Sequence, residues 1–254
     1  EVENNPVEGS PDQVDVDFDL KYRMPGQFSG GIGYSDFFKL NVNASITHTN
    51  FLGTGERVAI NLNSSKYMKQ ATMSHTDYYT TMSGVRRTTS LNYRDYKQFT
   101  SAASALSTTS GGATIDYGYP LSEYQSVSVG LNMSSVEMLS SIYSTSQAID
   151  WVQNNGDPFE AGNGFFGTKF ANFEILAGWI FDSRNRTIFP DRGTRHQLFA
   201  TYTFPGSEVE YWTTRYNFTR YQPLFGRWVG LWNAQLGYGE ALGVTSALPP
   251  FKQF

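Results

Sequence analysis

The stretch KLNVNASITHTN, residues 39–50, puts Leu40, Val42, Ala44 and Ile46 on one face of an extended chain and Asn41, Asn43, Ser45 and Thr47 on the other. Alternation of period two marks a β-strand, and here the second face is polar but small and uncharged. ERVAINLNSSKY repeats the pattern with Val58, Ile60 and Leu62 against Ala59, Asn61 and Asn63, and QSVSVGLNMSS does so with Val127, Val129, Leu131 and Met133. NFEILAGWIFDS points Phe173, Ile175, Ala177, Trp179 and Phe181 one way, and RWVGLWNAQLGYGE offers Trp228, Trp232, Ala234 and Leu236. Several of these runs reach the ~9–11 residues that carry a tilted strand across a bilayer. Strands of water-soluble sandwiches are usually nearer five or six. The longest apolar run, ILAGWIF, falls far short of the ~20 residues of a membrane helix, so only a β-barrel would let this chain span a membrane.

Aromatic residues make up 16% of the 254 residues, a load suited to rings with one wet and one apolar end. Tyr67, Tyr78, Tyr79, Tyr119, Trp228 and Tyr238 fall near strand ends, where a membrane barrel carries its aromatic girdles. Cysteine is absent, which excludes disulfides, thiolate metal sites and a cysteine nucleophile. The net charge of −4 comes without a Lys/Arg cluster, so nucleic acid is not an expected partner. FLGTGE, TMSG, PLSEY, FPDRG and PLFG read as short turns, whereas residues 139–166 form a long connection. Short turns on one side and long loops on the other are expected of an outer-membrane barrel. Within the long connection, SQAIDWVQNN reads as a short helix capped by Ser146, with Trp151 packed on the loop.

The search for chemistry is largely negative. His48, His75 and His196 fall on separate strands with no His-x-x-x-His pair, and there is no G-x-S-x-G elbow, so neither a metal site nor a catalytic residue is expected. Asp182, Arg184, Arg186, Asp191, Arg192 and Arg195 crowd one turn, which reads as an ion-pair network rather than as acid–base machinery. In IFPDRG, Pro190 fixes φ, Asp191 bonds local backbone and Gly193 is free to take φ > 0, the makings of a tight strand connection.

QFSGGIGYSDFF reads as a strand with Phe28, Ile32 and Tyr34 on one face, yet Gly30, Gly31 and Gly33 interrupt it. Glycine removes packing and costs conformational entropy, so this element either pairs loosely, is approached closely by other backbone, or relieves crowding where a sheet curves.

Along nearly the whole chain these residues resemble the BamA family of outer-membrane protein assembly factors, insertases that carry POTRA modules. GSPDQVDVDFDLKY is similar to the last strand of a final POTRA module, FSGGIGYSD to the first barrel strand and NFLGTGERVAINLNSSKY to the first periplasmic turn and third strand. FDSRNRTIFPDRG, PGSEVEYW, and LGYGEALG followed by LPPFKQF keep the family's order. The resemblance implies an all-β fold: an antiparallel transmembrane β-barrel of which about the first eleven of sixteen strands are present. Residues 1–25 then end the POTRA module and its linker, and residues 26–254 form the N-terminal part of the barrel, stopping within the sixth extracellular loop. An ending at Phe254 as a closing strand is disfavoured by Pro249 and Pro250 and by the lack of alternation.

It further implies residence in the bacterial outer membrane and insertion of client barrels at a weak lateral seam, without a cofactor. The client-binding strand comprises Phe28, Ser29, Gly30, Gly31, Ile32, Gly33 and Tyr34, and the family turn motif Asp182, Arg184, Phe189, Pro190 and Gly193. Expected partners are outer-membrane lipids, nascent outer-membrane β-barrel proteins and accessory Bam lipoproteins, the last mostly through POTRA modules outside this chain. The competing readings are a passive channel or two-partner secretion transporter on the same barrel, and an outer-membrane lipase. The apolar alternation of Val14, Val16, Phe18 and Leu20 ahead of the barrel disfavours a porin, and the missing Ser/His constellation disfavours the lipase.

Overall fold

A computed structural model describes residues 2–6, 14–18, 24–36, 39–100, 103–141, 143–162 and 165–253. Leu20 and Phe254 lie outside the described residues. β1 (Val2–Pro6) and β2 (Val14–Phe18) form a two-stranded antiparallel sheet. Val14 and Val16 are exposed on it.

The wall begins at Gly26. β3 (Gly26–Ser35), β4 (Lys39–His48), β5 (Arg57–Ser64), β6 (Met68–Asp77), β7 (Arg86–Thr100), β8 (Ala103–Ser122) and β9 (Gln125–Ser140) follow one another as antiparallel neighbours. A helix, α1 (Ser146–Asn154), and a short strand, β10 (Asp157–Gly162), intervene before β11 (Phe165–Asp182), β12 (Gly193–Thr203), β13 (Tyr211–Pro223) and β14 (Val229–Ala241) complete the order. Eleven strands thus run in sequence from β3 to β14, with β10 as a twelfth paired beside β11. Strand number and hydrogen-bonding pattern agree with the partial barrel expected from the sequence.

Cross-strand register fixes which face each residue takes, because partners share a side of the sheet. Ile46 pairs with Ile60, Ile60 with Met73 and Ile175 with Leu131, so the apolar sets of five strands share one outer face. None of the described residues covers that face: Leu40, Leu62, Leu131, Phe173 and Leu236 are all exposed. An apolar surface this extensive is a lipid surface. On the inner face Ser45 pairs with Asn61, Thr114 with Asn132 and Asn132 with Glu174.

All five short-turn signals lie at one end of the wall, the end at which the chain enters β3. At the opposite end the expected long loops do not appear as a set. Among the described residues, 65–67 make a tight return and 204–210 a modest one, and the β9-to-β11 connection is long. Length is placed instead in the strands: β8 has 20 residues and β11 has 18, against 10 for β3 and 8 for β5.

The long strands carry a core on the inner face at that end. Leu106, Val136, Met138 and Phe170 point inward and are buried by Trp151 and Val152 of α1, by Val209 and Tyr211, and by Ala247, Leu248 and Phe251. Trp151 is 2% exposed, meets Phe170 edge-on at 5.8 Å between ring centroids, and donates its indole N–H to the Ala247 carbonyl at 2.7 Å. The helix is therefore where the sequence placed it, but its cap is Thr145, whose hydroxyl accepts from the Ala148 N–H, rather than Ser146. Ser146 already has helical backbone, so the side chain one residue earlier is the one able to reach the free donors of the first turn.

Candidate functional site

The first candidate is the free edge of β3. Its ladder with β4 is complete, from Gly26 opposite His48 to Ser35 opposite Lys39. No strand pairs its other edge among the described residues, and every residue of β3 is exposed. Phe28, Gly30, Ile32 and Tyr34 share the outer face, continuous with Leu40, Val42 and Ile46 of β4, while Ser29, Gly31 and Gly33 face inward. Ile32 and Phe28 are 80% and 72% exposed.

The three glycines differ in their surroundings. A Cβ on Gly31 would stand 2.7 Å from Asn43 Oδ1, the end of a side chain free to turn away, and one on Gly30 would sit 3.4 Å from the Phe28 ring. A Cβ on Gly33 would meet nothing within 4 Å. None of the three has positive φ. Neither backbone conformation nor crowding by this chain therefore requires glycine at position 33.

Behind β3 the inner face opens into a hollow of about 580 Å³ walled by Ser29, Asn43, Ser45, Asn61 and Asn63. Ser45 donates to Asn61 Oδ1 at 2.9 Å, whereas the Oδ1 atoms of Asn41 and Asn63 are buried without a hydrogen-bond partner. β3 and its neighbours thus have an apolar outer face and a polar, uncharged inner face.

The second candidate is the turn between β11 and β12. Asp182, the last residue of β11, accepts from Nε and Nη2 of Arg184, at 2.9 and 2.7 Å, and Arg195 reaches it at 3.6 Å. The Asp182 carboxylate holds the Arg184 guanidinium above its ordinary pKa. Across the turn Asp191 takes Arg186 at 3.0 Å and the Asn185 amide at 2.7 Å, while Asn185 Oδ1 accepts from the backbone N–H of Asp191. Gly193 has φ +109°, and a Cβ there would lie 2.4 Å from the Ser183 carbonyl oxygen, so both conformation and close approach demand glycine. Phe189 also has positive φ, +52°, and is 87% exposed beside Pro190. Asp182, Arg184 and Gly193 thus build the turn's base, and Phe189 and Pro190 stand at its tip. All of these ions are engaged with one another, and the turn carries no group poised for proton transfer.

The three histidines are held apart. His75 reaches Glu56 at 3.1 Å, His48 packs edge-on against Phe51, and His196 bonds the Tyr216 hydroxyl at 2.7 Å among Trp179, Phe181 and Phe218 on the outer face. Among the described residues, no group of His, Asp or Glu is arranged to hold a metal ion.

The inner face holds one arrangement that alternation did not signal. Glu174 lies on β11 facing inward and is 4% exposed. It accepts from Asn132 Nδ2 at 2.7 Å and from the Tyr211 hydroxyl, and pairs with Lys252 Nζ at 3.3 Å. Lys252 sits in a 3₁₀ turn, residues 250–252, that lies inside the wall, with its ammonium over the Tyr211 ring and Phe251 stacked on Phe170. The only sequence trace of this site was a lone glutamate inside NFEILAGWIF.

Known proteins share this architecture. Outer membrane protein assembly factor BamA of Neisseria meningitidis serogroup B is 26% identical over 255 residues, covering 98% of this chain and 31% of that protein. The crystal structure of BamA from Haemophilus ducreyi lacking POTRA domains 1–3 superposes with a TM-score of 0.80 at 27% identity, covering all of this chain and 48% of that one. The chain thus spans about a third of the length of the curated relative it matches. The wall described above is an outer-membrane β-barrel wall. The model of the Omp85 superfamily domain matches residues 50–254, from the turn after β4 to the end, and the chain belongs to that superfamily.

Proposed function

We propose that this chain supplies the N-terminal part of the barrel of an outer-membrane protein assembly factor, and that β3 is the strand on which client barrels are templated. Residues 1–25 are read as the end of the preceding POTRA module. The observation that carries the reading is β3 itself: an apolar outer face and a polar inner one, a full ladder with β4, and a glycine at position 33 that this chain's own packing does not require. An unpaired edge recruits an extended segment by β-augmentation, and in lipid the need to satisfy backbone groups makes that pairing favourable without nucleotide or cofactor. The apolar outer and polar inner faces of β3 match the alternation that a client strand would bring.

The partners under this reading are membrane lipids, nascent β-barrel proteins and accessory Bam lipoproteins. A passive solute channel is disfavoured by the packed cluster of Trp151, Phe170 and Phe251 inside the wall.

Because the chain has no cysteine, single cysteines at Ser29, Gly31 and Gly33 in the full-length protein can be paired with one in a client's terminal strand free of background disulfides. Crosslinks require Cα approach within about 7 Å. They are expected in a fixed register and only while a client is being assembled. Equal crosslinking at Asn61 and Asn63 of β5, or none at β3 during active insertion, overturns the reading.

A further inference from the structure

On the lipid face of β13 one charge has no partner among the described residues. Arg220 lies opposite Thr194 on β12 and Trp232 on β14, is exposed, and makes neither an ion pair nor a side-chain hydrogen bond with any described residue. The aspartates of the neighbouring turn are already taken, Asp182 by Arg184 and Arg195 and Asp191 by Arg186. On the same outer face Lys169 meets Glu137, and Arg87 meets Asp77. An unpaired guanidinium facing hydrocarbon is costly unless it finds a counter-ion at the interface.

Its position makes that possible. Arg220 is three residues before Pro223, the end of β13 at the short-turn end of the wall. That is about 10 Å along a strand, or roughly 8 Å of depth at a tilt of about 40°, within reach of a snorkelling arginine. Trp232 stands beside it, and its ring is folded back over Gly230 toward Leu224: a Cβ on Gly230 would be 2.8 Å from the indole. Glycine at 230 therefore lets the indole lie flat toward the turn, at headgroup depth, where Trp228 and Phe225 are also exposed. Thr194, on the other side of Arg220, adds a hydroxyl already oriented by Ser183 at 3.2 Å.

We propose that Arg220, flanked by Trp232 and Thr194, binds the phosphate of one anionic phospholipid in the leaflet at the short-turn end of the wall. The guanidinium fork fits two phosphate oxygens, and the flat indole gives the acyl–glycerol region an apolar contact. The lipid must be anionic because a zwitterionic headgroup brings its own ammonium, which competes with the arginine for the same phosphate. A soluble protein is not the occupant, since the surrounding outer face (Phe218, Ala234, Leu236) lies against hydrocarbon.

Native mass spectrometry of the full-length protein in detergent, titrated with phosphatidylglycerol or with phosphatidylcholine, tests the site. Arg220→Gln is expected to weaken phosphatidylglycerol retention about fivefold, the effect of one basic residue at an anionic interface. Phosphatidylcholine retention should not change, Arg220→Lys should fall between, and Arg227→Gln, on the adjacent turn, should have no effect. Heat-modifiable migration establishes that each variant is folded. If Arg220→Gln fails to fold, Trp232→Leu and a salt titration of the unsubstituted protein replace it, and the phosphatidylglycerol preference must fall with each. An unchanged preference, an equal loss for both lipids, an equal effect of Arg227→Gln, or displacement of the lipid by millimolar inorganic phosphate overturns the proposal.

Discussion

Lys252 Nζ stands 3.3 Å from a Glu174 carboxylate that is almost completely buried, and so joins the segment after β14 to the inner face of β11. The two residues lie on separate elements, and among the described residues Lys252 is the cation paired with Glu174. Asn132 and Tyr211 donate to the same carboxylate, and Thr114 in turn donates to Asn132 at 2.8 Å. A buried charge of this kind is tolerated when every lone pair is matched, and becomes expensive when one partner is lost.

Lys252→Met is therefore expected to destabilise the folded barrel by roughly 2 kcal/mol, below the full value for a buried pair because the lysine is itself partly exposed. Lys252→Met combined with Glu174→Gln should recover most of the loss, since a neutral amide needs no cation. Thermal midpoints of heat-modifiable migration for the four proteins of the cycle check this. An additive double variant contradicts it.

The long connection is not the tolerant loop that its length implies. Val152 is fully buried and Trp151 nearly so, which makes α1 part of the core. Trp151→Ala removes a large buried side chain and leaves the Ala247 carbonyl without its donor, at a cost of about 3–5 kcal/mol. A four-residue insertion after Gly162 should be borne with little loss. The same thermal assay separates the two, and equal loss from both rules out this division of the loop.

Sequence and structure part ways here for a physical reason. Alternation reveals a strand when one face is apolar and the other polar, as at Val127, Val129, Leu131 and Met133. On β9 the apolar residues then pass to the even positions, so Val136 and Met138 point inward beneath α1 in an unbroken register. Period two is unbroken on either side of the switch, so the strand was legible while the buried patch on its inner face was not. Glu174 was hidden in the same way, since its partners Asn132, Tyr211 and Lys252 come from three separate segments. The turn at 182–193 was legible because Pro190, Asp191 and Gly193 act through local backbone. The lengths of β8 and β11 were not, because they depend on how far each strand extends beyond the bilayer.

Gly193→Ala places a methyl 2.4 Å from the Ser183 carbonyl at a φ that alanine resists, so it should lower folded yield and cost more than about 2 kcal/mol. Gly206→Ala provides the contrast. Its φ is +95°, but nothing lies within 4 Å of the added carbon, so only the conformational part of the penalty applies, about 1 kcal/mol. Refolding yields into detergent compare the two, and a larger loss at position 206 removes the close-approach argument.

Gly33 gives the sharpest test of the β3 edge. Valine there has open space, an ordinary strand conformation to adopt and a higher strand propensity, so Gly33→Val should leave the folded barrel as stable as before or about 0.5–1 kcal/mol more so. If β3 works by being easily parted from its neighbour, the same substitution should slow client insertion several-fold, because a stiffer strand opens less often. Ile60→Ala on β5 should do the reverse, costing about 2 kcal/mol of stability with a smaller effect on the insertion rate per folded molecule. The two variants thus separate stability from turnover. Thermal midpoints and insertion rates into liposomes, each normalised to folded protein, give the comparison. If Gly33→Val lowers stability and activity together, the glycines serve the curvature of the wall, and the templating role falls.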